Sequence, residues 1–329
     1  MLISRTPLRV SLFGGGTDFE DYYKVNGGEV VSLAIEKSIF VTVNKRFDGK
    51  LHLRYSKTEE VLGYQDLKHD IVKECLKYVG IQSGIEIVTI SDVPSIGTGL
   101  GSSGALTVGL LKALYAYVGI DVDNRRLADI ACEIEIDKLG AHIGKQDQYV
   151  CALGGTKHIK FNKDGSIGTI DLWEDYGKEI ERLLENSLLF YIPNGRKSSK
   201  ILKVYKKSIE ENRKVIDLHK SLVQEFLGDL RKYQISVEKF GMMLNQAWRI
   251  KKESSPATNE IVEKAFSVAM GSGAIGGKLC GAGGGGFMLV VVYSKDKQRV
   301  IDAMDKEGFK SCNIGVSHIG SEIIYRSSV

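Results

Sequence analysis

At 329 residues, with 43% hydrophobic and 26% charged residues, the chain has ordinary globular composition and enough length for about two domains and the cleft between them. A formal net charge of +4 without a concentrated basic block argues against nucleic-acid binding; five cysteines with no CxxC pair argue against a disulfide framework or zinc knuckle and fit a reducing cytoplasm. The first residues lack an apolar signal core, and the longest clean apolar run, Phe287 to Tyr293, is far short of the ~20 residues that cross a bilayer, so no membrane partner is expected.

In chain order, β-branched and aromatic runs predict strands at Leu8 to Phe13, Glu29 to Ile35, Ile39 to Arg46 and Leu51 to Tyr55. Helical spacing follows at Leu67 to Val79, then a strand at Ile85 to Ile90, a glycine loop and an apolar helix from about Ala105 to Val118. Asp123-Asn124 caps a helix over Arg125 to Lys138, and a strand pair at Thr156 to Phe161 and Ile167 to Leu172 closes the first half. A boundary is expected within residues 175 to 187, dividing the chain into 1–182 and 183–329. The second half reads as a strand at Leu188 to Ile192, helices over Lys197 to Leu230, Val237 to Lys252 and Asn259 to Met270, a strand at Gly286 to Tyr293, a helix over Lys297 to Glu307 and a strand at Ser321 to Arg326. Without a strict βαβ repeat, the expected class is α+β.

The 37 glycines cluster, at Gly14 to Gly16, Gly97 to Gly104 and Gly271 to Gly286. Clustered glycine brings backbone close to a ligand. The stretch from Pro94 to Ala105 places Gly97, Gly99, Leu100, Gly101, Ser102, Ser103 and Gly104 between a strand and a helix; this is the pattern of a phosphate cradle made by backbone N–H groups and the helix N-terminus, and equally that of a tight turn with serine N-caps. Gly99 to Gly104 satisfies GxGxxG, but Ile120 to Val122 is too short to be the second strand of a dinucleotide fold. No Gly-Lys-Ser/Thr follows at Walker spacing, and the loop enters a helix instead of joining two strands as in protein kinases. Arg196, in the run Arg196-Lys197-Ser198-Ser199-Lys200, is a further anion candidate before a helix, and His142 reads as structural.

Three blocks together resemble the GHMP kinases: Arg5 to Asp18, the glycine loop, and Lys278 to Phe287. The resemblance implies a two-domain α+β architecture, with an N-terminal ATP-binding domain like the second domain of ribosomal protein S5 and a ferredoxin-like C-terminal domain. Within the family, Phe-Gly-Gly-Gly-Thr-Asp, Ile35-Glu36-Lys37 and Gly144-Lys-Gln-Asp147-Gln-Tyr look most like bacterial D-glycero-D-manno-heptose 7-phosphate kinases. The implied reaction is ATP- and Mg²⁺-dependent phosphorylation of a sugar phosphate at its anomeric hydroxyl, toward nucleotide-activated heptose. A fucose or aminohexose kinase and a non-catalytic sugar and ATP sensor are the alternatives, and a homodimer is left open.

By the same resemblance, Asp147 is the catalytic carboxylate and Arg9 its partner. Pro94, Gly97, Gly99, Leu100, Gly101, Ser102, Ser103 and Gly104 hold the nucleotide, while Ser103 and Glu135 hold the metal, with Glu133 and Asp137 as competitors. Gly15, Gly16, Thr17, Asp18, Arg196, Gly283 and Gly284 are the substrate candidates. Galactokinase-like members carry Glu and His where this chain has Gly15 and Gly16, which opens space for a sugar extended beyond C6 and frees amides that could nest its phosphate.

Overall fold

The first strand mixes apolar residues with Ser4, Arg5, Thr6, Arg9 and Ser11, yet it is buried at every position but Ile3 and Arg5, as a strand covered on both faces must be. In the computed structural model, which describes residues 1–94, 97–193, 202–204, 206, 209 and 211–327, β1 spans Leu2–Phe13 and runs antiparallel to β2 (Gly28–Lys45). β2 is one 18-residue strand where the sequence predicts two, and its register slips opposite Pro7/Leu8, where the proline has no N–H to give the ladder. Its first half pairs with β6 (Thr156–Phe161), itself paired to β7 (Ile167–Asp171); its second half pairs with β5 (Ile85–Ser91). With β3 (Leu51–Arg54), β4 (Thr58–Val61) and the C-terminal β12 (Glu322–Arg326), these form an eight-stranded sheet.

Helix α1 (Glu20–Asn26) follows β1, and α2 (Asp70–Val79), α3 (Ser102–Tyr117), α4 (Asn124–Cys132) and α5 (Gln146–Leu153) lie among the strands of this sheet in sequence. α3 is apolar nearly all round, as a central helix must be. It seats on β1 through Gly109, whose carbonyl accepts from Ser4 Oγ at 2.8 Å and whose missing Cβ would stand 2.8 Å from Thr6 Oγ1. α1, α5 and β4 are elements that the sequence reading passes over. So is α6 (Trp173–Glu185), which occupies the expected boundary region.

The second sheet contains β8 (Ser187–Ile192), β9 (Gly276–Leu279), β10 (Gly286–Val291) and β11 (Lys310–Cys312), all antiparallel in the order β11-β8-β10-β9. That order is the split βαβ arrangement of a ferredoxin-like unit. Its helices are α7 (Arg213–Arg231), α8 (Val237–Ser254), α9 (Glu260–Gly271) and α10 (Lys297–Lys306). The segment from Lys197, predicted as the start of a long helix, lies in part outside the described residues.

The two sheets share one core. Phe13 of β1 meets Phe226 of α7 at 5.1 Å and Phe240 of α8 at 6.2 Å between ring centroids, and the latter two rings lie 6.1 Å apart. This aromatic cluster fixes the two halves beside each other. Phe226→Ala is expected to lower the unfolding free energy by about 3–5 kcal/mol in denaturant titration; a loss below about 1 kcal/mol would mean that the cluster does not join the halves.

Candidate active site

Arg9 is the anchor. It stands on β1 with its side chain almost sealed, and both arms of its guanidinium fork are engaged. Nε and Nη2 donate to the two oxygens of Asp147 at 2.7 and 2.6 Å, and Nη1 donates to Gly99 O at 2.6 Å. A planar bidentate pair of this kind fixes the carboxylate's orientation as well as its charge. The side chain of Asp147 remains 24% exposed against 5% for Arg9, so the carboxylate opens onto the cleft while its partner does not. Two of its acceptor sites are spent on Arg9, which leaves capacity for a hydroxyl donor.

The glycine loop lies directly against this pair. Gly99 has φ +74°, and a Cβ there would stand 2.4 Å from Cys280 O, so only glycine lets the loop touch the third block. Phe287 N donates to Thr98 O at 2.8 Å, which ties the second sheet to the same loop. Gly101 is the N-cap of α3 in a left-handed conformation, and Thr98 Oγ1 and Ser102 Oγ share a hydrogen bond of 2.9 Å. A Cβ at Gly104 would come 3.0 Å from Asp147 Cβ, so the positive end of α3 adjoins the carboxylate.

Glu135 is buried on a π-helical turn, Glu133–Lys138, that continues α4. Its carboxylate accepts from Gln148 Nε2 at 2.8 Å and lies beside the Ser103 and Thr107 side chains, the Thr107 hydroxyl itself donating to Ser103 O at 2.9 Å. Burial, with a smaller push from Asp147, lifts its pKa to about 7 in spite of those hydrogen bonds. Glu133 instead takes Tyr78 OH at 3.1 Å and Lys138, and Asp137 is exposed. A short-range π turn thus separates the three acids, turning Glu135 inward beside Ser103. A buried carboxylate short of positive charge, next to a hydroxyl at the N-terminus of α3, suits Mg²⁺, which takes one or two carboxylates plus phosphate oxygens.

One cleft is lined by Arg9, Asp147, Asp18, Gly15, Gly16 and Gln146 on the first half and by His219, Lys251, Lys278, Gly281 and Ala282 on the second. Asp18 is buried; its carboxylate accepts from Gly16 N at 3.0 Å and Gln146 N at 3.2 Å, and burial followed by the Asp147 charge raises its pKa. The Gly16 amide is therefore already used, which weakens the expected Gly15–Gly16 phosphate nest. Thr17 is fully buried, its hydroxyl bonded to Gly14 O and Glu29 O at 2.8 Å, and it shapes the turn instead of facing substrate. Gly283 and Gly284 pack on Ala257, with Gly284 N donating to Ala257 O at 2.6 Å; Gly281 and Ala282 take the wall position expected of them. Pro94 is exposed beside the loop, and Arg196 lies outside the described residues.

Lys251 and His219 carry no motif and are missed by sequence reasoning; Lys278 is visible only as the first residue of the third block. A second cavity, lined by Tyr55, His69, Ile71, Ile90, Ser102 and Leu106 among others, opens beside the head of α3.

His219 is buried and held neutral, burial pulling its pKa down to about 3 with help from Lys278 and Lys251. The unfolded chain takes up a proton below about 6.5 that the folded chain refuses, so the stability due to this group is complete above that pH and is lost as pH falls toward 3. Between pH 7 and pH 5 the loss is about 2 kcal/mol. Denaturation of His219→Gln should fall by that much less over the same interval; parallel pH profiles would contradict the buried neutral imidazole.

Residues 68–155 match the family described as GHMP kinases N terminal domain, and residues 226–310 match GHMP kinases C terminal. The chain is 31% identical over 322 residues to a D-glycero-alpha-D-manno-heptose 7-phosphate kinase of Campylobacter jejuni, covering 92% of this chain and 93% of that one. It is 27% identical to a galactokinase of Pyrococcus furiosus, covering 92% of each. Among solved structures, a D-glycero-D-manno-heptose 1-phosphate kinase from Bacteroides thetaiotaomicron superposes over 100% of both chains with a TM-score of 0.80 at 24% identity.

Proposed function

We propose that this chain, which belongs to the GHMP kinase family, phosphorylates the anomeric C1 hydroxyl of a sugar phosphate, with D-glycero-D-manno-heptose 7-phosphate as the foremost acceptor, ATP as donor and Mg²⁺ as metal. The chain is a sugar kinase of that family, a phosphotransferase with an alcohol group as acceptor. The observation that carries the finer reading is the Arg9–Asp147 pair, held between the head of α3 and the cleft.

In this reading the amides of the glycine loop and of Ser102, Ser103 and Gly104 bind the donor's phosphates, and the apolar cavity at Tyr55 and His69 takes the base. Ser103 and Glu135 would hold Mg²⁺, which neutralises charge on the phosphates when bound. Asp147, oriented by Arg9, accepts the hydrogen bond of the acceptor hydroxyl and its proton as the oxygen bonds to the terminal phosphorus and the bridging P–O bond to ADP breaks. Asp18 positions sugar hydroxyls from the same wall. The division at 182/183 assigns donor binding chiefly to the first half and closure of the acceptor cleft to the second. The resemblance to the Campylobacter enzyme over nearly its full length supports the heptose assignment.

A panel of heptose 7-phosphate, mannose, galactose and fucose, read by ADP release and phosphorus NMR, tests the acceptor. Heptose 7-phosphate is expected to gain a phosphate at C1; phosphate on another carbon, or binding of ATP and sugar without turnover, would overturn the assignment. Asp147→Asn should lower kcat by about 10²–10⁴-fold while nucleotide affinity stays within a few-fold. Unchanged kcat would remove Asp147 from the proton step.

A further inference from the structure

The acceptor side of the cleft holds positive charge that no described carboxylate neutralises. Lys278 of β9 is buried and its ammonium donates to two backbone carbonyls, Ser11 O at 3.0 Å and Leu12 O at 2.8 Å. Lys251 of α8 reaches in from the same wall and donates to Gly281 O. Neither ammonium forms an ion pair among the described residues, whereas the neighbouring surface lysine Lys252 pairs with Glu263. The two acids that share the cleft are committed elsewhere, Asp147 to Arg9 and Asp18 to the amides of Gly16 and Gln146. Burial, with repulsion from Lys278, pulls Lys251 to about 7, and burial pulls Lys278 to about 8, as expected of ammonium groups short of a counterion.

An ammonium offers three donors. Lys278 has spent two and Lys251 one, so three N–H groups remain on two residues that line a single cleft. His219 of α7 adds a fourth polar atom: its Nδ1 is buried without a hydrogen-bond partner among the described residues, and the residue lines the same cavity. Two convergent cations with spare donors match a phosphate monoester, with close to two negative charges and three acceptor oxygens, better than they match a carboxylate. The donor's phosphates already have a cradle at the head of α3 with Ser103 and Glu135, and neither lysine lines the cavity that opens there.

We propose that Lys251 and Lys278, with His219, form the subsite for the acceptor's distal phosphate and select sugar phosphates over free sugars. The inference rests on the reading of this cleft as the acceptor site. It moves phosphate recognition from the Gly15–Gly16 turn to the second half of the chain. Because the subsite and Asp147 lie on one lining, an acceptor held by its phosphate presents its far end to the catalytic carboxylate.

The test uses the full chain and the variants Lys251→Met and Lys251→Arg, since Lys278→Met also cuts the tie to β1 and endangers folding. In Lys251→Met, the ratio of kcat/KM for heptose 7-phosphate over free heptose should fall about 10- to 100-fold, mostly through KM. Lys251→Arg should recover part of it, and the ligand-free melting temperature of Lys251→Met should not drop, because a partly buried cation without a carboxylate partner has been removed. Inorganic phosphate should compete with the acceptor and not with ATP, with a Ki raised in Lys251→Met. An unchanged ratio, or a rise in the KM for ATP by the same factor, would overturn the subsite while leaving the kinase reading intact. Wild-type protein that turns over no sugar yet binds inorganic phosphate through Lys251 would retain the subsite and sink the acceptor reading.

Discussion

The fork between Arg9 and Asp147 is the constraint around which the site is assembled. It joins the first strand to α5, and through Nη1 it holds the glycine loop at Gly99. Two segments, 90 and 138 residues from Arg9 in sequence, therefore share one buried guanidinium. Removing Arg9 would leave a partly exposed carboxylate with no fixed direction and a loop without its floor. A residue with both a fixed planar donor set and a permanent charge is needed, and lysine cannot supply the first.

The surrounding glycines serve close approach more than flexibility. Gly99 and Gly281 let two loops from different halves touch backbone to backbone, and Gly104 lets α3 come against Asp147. Each contact shortens the distance between the N-terminus of α3 and the Asp147 carboxylate. The same economy of space explains why the wall opposite can be cationic: small residues at Gly15, Gly16, Gly281 and Ala282 leave the volume in which Lys251 and Lys278 present their ammonium groups.

Much of this site was legible in the sequence because its parts are local. A glycine loop between a strand and a helix states its chemistry in a dozen residues, and Arg9 and Asp147 sit inside recognisable blocks. Glu135 could be ranked above Glu133 and Asp137 only by its place in a family pattern; the physical reason, a π turn that rotates it inward, has no sequence signature at this length. Lys251 and His219 were invisible for a related cause. On an amphipathic helix a lysine or histidine reads as a solvated face, and which face is buried depends on how α7 and α8 lie against β1 and β9. Helix α6 has no clear sequence signal, since its buried apolar positions Ile180, Leu183 and Leu184 are few and its conformation breaks at Tyr176. Thr17, Gly283 and Gly284 belong to motifs that do form the walls, but their own polar groups turn away from the cleft.

A crystal structure of the ternary complex with a non-hydrolysable ATP analogue and heptose 7-phosphate tests the central claim most directly. The account predicts the C1 oxygen within hydrogen-bond distance of Asp147, the terminal phosphorus between that oxygen and the N-terminus of α3, and Arg9 still bidentate to the carboxylate. An acceptor whose C1 oxygen lies beyond reach of Asp147, with Asp147 turned to solvent, would contradict it.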